Sequence, residues 1–370
     1  MIKALDRWLL PWISQRFRRP KTHVSDVMLA VCDHFEPLHR TDKTGAMRRL
    51  AQWRERLPSL TDSSSDHEGA GAKHTFFYPI EQYDPDILDP LSEICRRTRN
   101  EVEVHLHHDN DTAANLARTL EQGKTDLRRH GLLGSDPQGS AVFGFIHGNW
   151  ALDDSDPSGC GCGVRGELAI LKQAGCYADF TMPSAPHRTQ APIVNQLYYA
   201  RSTSEGKSHH RGRRVSSGHE GTGALRPSSE HLLIVQGPLS LDWRRRKWGI
   251  LPRIENSDLG PKNPPTAARM AQWLDCRICV SGAESWCFIK LHTHGAPEFG
   301  HRSNLGEECR EFYAAIEQMA RDRGFRLHYV SAREMVNILH AAEDGHGGDA
   351  GPWRDYIYSA PPLLRPALVP

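Results

Sequence analysis

Strand-like runs and helical patterns alternate along almost the whole chain. No other feature constrains the fold as much. Apolar, β-type runs occur at 26–37, 74–79, 101–108, 141–150, 177–186, 231–239, 285–295 and 325–331. Helical patterns separate most of them, at 46–57, 86–99, 111–131, 166–176, 266–280, 308–324 and 332–345. Strands joined through helices pair in parallel, because a hairpin turn cannot return a chain in the same direction. Seven or eight such units predict an α/β domain, a distorted (β/α) barrel of seven or eight parallel strands. A chain of 370 residues is long enough to enclose that core in a single domain over 23–345.

Three stretches fall outside the pattern. Residues 1–22 form an amphipathic arm, with Trp8, Leu9, Leu10, Trp12 and Ile13 followed by Arg16, Arg18, Arg19 and Lys21. It reads as a helix docked on the domain or as an interfacial anchor giving peripheral membrane contact. Residues 201–230 are Ser-, Gly-, Arg- and His-rich and read as a mobile insertion. Residues 346–370 form a Gly- and Pro-rich tail that is expected to wrap the surface. Lys plus Arg (46) nearly balances Asp plus Glu (45), so no global charge points to nucleic acid. Nine cysteines, an odd number spread through a long chain, read as reduced thiols and place the chain in the cytoplasm. No run approaches the roughly 18–20 apolar residues that cross a bilayer.

Polar residues collect where the strands end. Asp33, His34 and Glu36 close the first run, and His105, His107, His108 and Asp109 the third. His147, Asn149 and Trp150 close the fourth, with Asp153 and Asp154 behind them, and His292 and His294 close the run near 289. In parallel barrels that rim is where sites are built. Alternation sharpens the pattern. Val102, Val104 and Leu106 share a helix-facing side, which sends Glu101, Glu103, His105 and His107 inward. Ile289 and Leu291 likewise leave Lys290, His292 and His294 inward, and Phe143, Phe145 and His147 share one face. Imidazoles and carboxylates converging in a polar interior suit a divalent metal, zinc first. The bland alternative is a set of hydrogen-bonded rim histidines.

Two further motifs carry weaker signals. "CGCG" at 160–163, with Cys176, reads as a tight glycine turn before it reads as a thiolate site, because zinc-ribbon spacing is missing. "WRRRKWG" at 243–249 offers stacking and charge contacts to a sugar or plain structural use. Arg253 and Glu255 are expected to pair at the same rim.

These residues resemble the polysaccharide deacetylase family, metal-dependent carbohydrate esterases on a distorted (β/α) barrel, over 24–335 at the level of strand order. "VCDHFEP" stands where the family has paired acids, so the resemblance implies Asp33 as catalytic base and His34 as metal ligand. His105 matches the first histidine of the family's pair. Asp109 stands where the second is expected, with His107 and His108 close by. "FIKLHTH" resembles the late motif that carries the general acid, with His292 the best match and His294 beside it. The implied function is metal-dependent removal of an acyl, foremost N-acetyl, group from a carbohydrate. Glu36, His147, Asn149, Trp150 and Arg253 are then the expected substrate contacts. Two alternatives stand beside it. One is a glycoside hydrolase pairing Glu36, Glu101, Glu103 or Asp153 as two acids. The other is a carbohydrate-binding protein that kept the fold and lost the reaction.

Overall fold

The computed structural model describes residues 3–218 and 230–365. Residues 219–229, within the stretch read as a mobile insertion, lie outside it. The chain opens with helix α1 (Leu5–Phe17) and then enters the alternation: β1 (Asp26–His34), α2 (Lys43–Asp62), β2 (Thr75–Pro79), α3 (Pro85–Thr98), β3 (Glu101–Leu106), α4 (Ala113–Arg129), β4 (Phe143–His147), α5 (Glu167–Gln173) and β5 (Cys176–Asp179). Strands β6 (Leu197–Arg201), β7 (Arg213–Arg214), β8 (His231–Val235), β9 (Ser240–Lys247), β10 (Leu251–Glu255) and β11 (Asp258–Leu259) follow. The chain then runs through α6 (Ala267–Leu274), β12 (Trp286–Thr293), α7 (Glu298–Leu305), α8 (Glu307–Arg323), β13 (Arg326–Tyr329) and α9 (Ala332–Glu343).

The helices start where local chemistry satisfies their first N–H groups. Asp42 caps α2 by accepting from Gly45 N, and Asp84 precedes Pro85 at the start of α3. Ser331 and Glu334 form a reciprocal capping box on α9. Thr112 caps α4, because its hydroxyl accepts from Asn115 N. Asp111 accepts from the Asn115 side chain and sits beside His108.

The main sheet is mostly parallel and has 11 strands. Seven of them, β12-β1-β2-β3-β4-β5-β8, form an unbroken parallel run. Among the described residues no pairing closes this run into a barrel. Both edges that closure would need are occupied: β11 pairs with β12, and antiparallel β6 pairs with β8. The two ends nevertheless approach each other. A Cβ on Gly237, just past β8, would stand 2.4 Å from Lys290 O of β12. The hairpin β9–β10 and strands β6, β7 and β11 were not among the expected strands.

One face of the sheet carries Val27, Leu29, Val31, Phe76, Tyr78, Val102, Val104, Phe143 and Phe145, packed with apolar residues of α2 to α8. The opposite face carries Met28, Ala30, Cys32, Phe77 and Ile146, with α9 supplying Met335, Val336, Ile338 and Leu339. We call these the helix-layer face and the inner face. Helix α1 docks through Trp8 and Trp12 against Ala185, Val194 and Leu239, and leaves Leu10 and Phe17 exposed. Residues 201–218 contribute β7 and the buried His209. The tail after Gly345 is held by Arg333, which donates to Tyr358 O and Arg354 O. All nine cysteines are free thiols, eight of them buried. Among the described residues no helix is long and apolar enough to cross a membrane.

Candidate metal centre

Strand β1 ends by placing consecutive side chains on opposite faces. His34 follows Cys32 onto the inner face, and Asp33 follows Val31 into the helix layer. On the inner face His34 meets His105 of β3, His294 and Trp150, with ring centroids 4.7 to 4.9 Å away. His292 lies 6.2 Å from His34 and 5.4 Å from Trp150. Glu36 enters from the turn after β1. Its Oε1 is 3.3 Å from His105 Nε2 and 3.4 Å from His107 Nε2, and its Oε2 is 3.1 Å from His39 Nδ1. One donor atom from each of His34, Glu36 and His105 falls within 4.8 Å of the others, and all three residues are buried.

The hydrogen bonds define which nitrogens are available. His105 Nδ1 is 3.0 Å from Ile146 O, and a carbonyl can only accept, so Nδ1 carries a proton. The Nε2 lone pair of the neutral ring then points at a carboxylate, a contact between two acceptors that calls for a cation. Burial, ahead of every other effect, holds the His105 ring below its ordinary pKa, so the neutral form is favoured. His34 is buried, and neither ring nitrogen has a hydrogen-bond partner among the described residues. Burial, then His294, His105 and His292, push its pKa well below the ordinary value. Glu36 is held low despite burial, by His105 and His107. A buried imidazole with no partner is costly unless something else occupies it.

Several expected residues go elsewhere. Asp33 lies in the helix layer, where Oδ2 accepts from His74 Nε2 at 2.8 Å and Oδ1 from Gly295 N at 2.6 Å. It does not face the inner cluster. His107 is half-buried and bridges Glu36 and Glu81; burial opposes its charge, but the two carboxylates raise its pKa to about 9. Asp109 is exposed and holds the glycine turn through Gly161 N. His147 shares its face with Phe143 and Phe145, and that face is the helix layer. Asn149 clamps the loop by donating to His108 O and Gly161 O. Trp150 covers the inner cluster from a left-handed backbone position, φ 60°. Arg253 is exposed on the β9–β10 hairpin, and Glu255 pairs with Arg269 rather than with Arg253. The "CGCG" thiols do not gather with Cys176: Cys160 is exposed and Cys176 bonds to Ala178 O within β5.

A second cluster was missed as a cluster. His108, His147, Cys162 and Glu167 are all buried, with one donor atom each within 4.8 Å of the others. The clue lay in single signals, since His108 and His147 each close a strand run and Cys162 sits between two glycines.

No family model matches the chain, and no curated protein matches it by sequence. Two solved structures are similar at low identity. A 4-alpha-glucanotransferase from Thermococcus litoralis shows 11% identity over 85% of this chain, with a TM-score of 0.42. The chain spans about 40% of that protein's length. A protein from Parabacteroides distasonis, described as a candidate glycoside hydrolase/deacetylase, shows 10% identity over 88% of this chain and 72% of its own, with a TM-score of 0.46. At this degree of similarity neither protein's reaction is carried over.

Proposed function

We propose that the chain is a metal-dependent hydrolase that removes an acyl group, foremost N-acetyl, from a sugar or polysaccharide. One observation carries the reading: the buried, unpartnered His34 ring beside a His105 Nε2 that faces the Glu36 carboxylate. Two neutral imidazoles and one carboxylate suit a divalent ion, zinc first, and three protein ligands leave it an open position. When bound, such an ion supplies Lewis acidity, acidifying a water and polarising an acyl carbonyl.

The chain's own residues supply the rest. His292 is buried, is held well below its ordinary pKa by burial and by Lys290, and has an Nδ1 without a hydrogen-bond partner among the described residues, so it lines the site as a neutral imidazole. His294, beside His34, would take the proton of the attacking water and return it to the leaving amine. Asp33 acts as a positioning residue, because the Gly295 N–H it accepts fixes the backbone next to His294. Trp150 presents a ring face over the site, a surface on which a sugar stacks. The sugar itself rests on the resemblance in the sequence and on that ring.

The other acids named for the two-acid alternative are each engaged elsewhere. Glu101 is paired with Arg333, Glu103 accepts from Tyr177 and Gly144 N, and Asp153 accepts from Glu167 N and Ser208 N. Acetate release from N-acetylated sugar oligomers, measured alongside bound metal, tests the reading. His105→Ala is expected to lose both one equivalent of metal and the activity. Unchanged metal content in a folded His105→Ala protein would remove the basis for the reading.

A further inference from the structure

We infer that His108, His147, Cys162 and Glu167 form a second, closed zinc site with a structural role, separate from the inner cluster. Four segments converge there. His108 leaves β3, His147 ends β4, Cys162 sits in the glycine turn, and Glu167 opens α5. His108 Nε2 is 3.1 Å from Glu167 Oε1, His147 Nε2 is 3.9 Å from the same oxygen, and Cys162 Sγ is 3.6 Å from Glu167 Oε2. The two imidazoles are 4.6 Å apart between centroids. Ordinary zinc bond lengths in a tetrahedron put neighbouring donors about 3.3–3.6 Å apart. The cluster therefore needs only small shifts to close on an ion.

Independent observations point to a ligand. His147 is fully buried, its Nε2 is aimed into the cluster, and that atom has no hydrogen-bond partner among the described residues. His108 Nδ1 lies 3.3 Å from Asp111 Oδ2, so the ring turns its Nε2 to the cluster. Cys162 Sγ accepts from Val164 N and lies against Val164 O, both at 3.4 Å, so the sulfur is held in place at the cluster. One thiolate and one carboxylate neutralise a dication, so the site can be buried without net charge. Asn149 N donates to His147 Nδ1 at 3.2 Å, which fixes the ring with Nε2 turned to the cluster.

The glycine turn serves this geometry. Gly163 has φ 90°, and a Cβ there would stand 2.7 Å from Asp111 N. The chain therefore packs against the exit of β3, where Asp111 N donates to Cys162 O at 3.0 Å. Four protein ligands leave no open position for chemistry. The ion would instead tie 147–167 to the sheet and so hold Trp150 over the inner cluster.

Zinc-edge X-ray absorption of the purified full chain tests this, because the inner donors are nitrogen and oxygen alone. The expected spectrum contains a sulfur scatterer at about 2.3 Å. Cys162→Ala is expected to lose that scatterer and one equivalent of zinc, while His105→Ala keeps the scatterer. If Cys162→Ala fails to fold, the zinc-loaded wild-type spectrum still decides. A wild-type spectrum without sulfur, or a folded Cys162→Ala protein that keeps both the sulfur scatterer and its zinc content, would overturn the site. Failure of the inner site would show separately, as loss of metal-dependent activity with the sulfur signal intact.

Discussion

His107 and His108 are neighbours in sequence, yet they belong to different clusters. His107 turns to Glu36 and Glu81 at the inner cluster, and His108 turns to Glu167 in the outer one. The inner cluster offers three donors and has further histidines and a tryptophan around it. The outer cluster offers four donors, one of them sulfur, drawn from four segments. Openness is what chemistry requires, and closure is what a clamp requires. The difference teaches that histidine-rich strand ends need not serve one site. The face on which each side chain emerges decides its role.

That comparison can be broken by separating activity from stability. The largest expected effect is on the inner side. His105→Ala should lower acetate release by roughly 10²–10³ or more, as removal of transition-state stabilisation does, while the melting transition moves little. Steady-state assays and calorimetry on the same preparation check it. Next comes the outer side. His147→Ala should lower stability by about 3 kcal/mol or more at zinc concentrations well above saturation, with a far smaller change in kcat. A denaturant titration with and without chelator measures this, and equal losses of activity in the two variants would erase the distinction.

A third variant belongs to neither cluster. Asp26 lies at the opposite end of β1, buried, where it accepts from Arg326 and His328. Asp26→Asn should cost about 3 kcal/mol, because it takes away the buried carboxylate that pairs with Arg326, and should leave metal content unchanged. Burial raises the Asp26 pKa, but His328, Arg326 and Ser25 outweigh it and lower it to about 2. A carboxyl depressed on folding contributes stability that is present above its ordinary value near 3.8 and is lost as pH falls toward 2. The wild type should therefore lose stability over that window more steeply than Asp26→Asn, as acid titration of the melting temperature would show. The smallest effect is expected from Asp111→Ala. Removing the carboxylate behind His108 should weaken zinc at the outer site by about 10–100-fold and leave the inner site alone.

Much of this arrangement was legible in the sequence, and the failures have physical causes. Strand β3 has apolar residues on one face only, so alternation placed Glu101, Glu103 and His105 correctly on the inner face. Strand β1 is apolar on both faces, with Val27, Leu29 and Val31 on one and Met28, Ala30 and Cys32 on the other. Alternation there could not tell that His34 would turn inward and Asp33 away. For His147 the period was right, and its two phenylalanine companions mark the helix layer, away from the expected substrate contacts. Among the described residues the sheet is not closed, because the short strands β6 and β11 take the edges that closure needs. The outer cluster was hidden by spacing, as its four donors come from far-separated turns that no local motif joins.

The most direct measurement is acetate release from an N-acetylated sugar oligomer by chelator-treated protein, before and after a divalent ion is restored. Activity is expected to vanish on chelation and return with zinc in the wild type, and not to return in His105→Ala. Release that survives chelation, or tight glycan binding without any release in zinc-loaded protein, would contradict a metal-dependent hydrolase built on His34, Glu36 and His105.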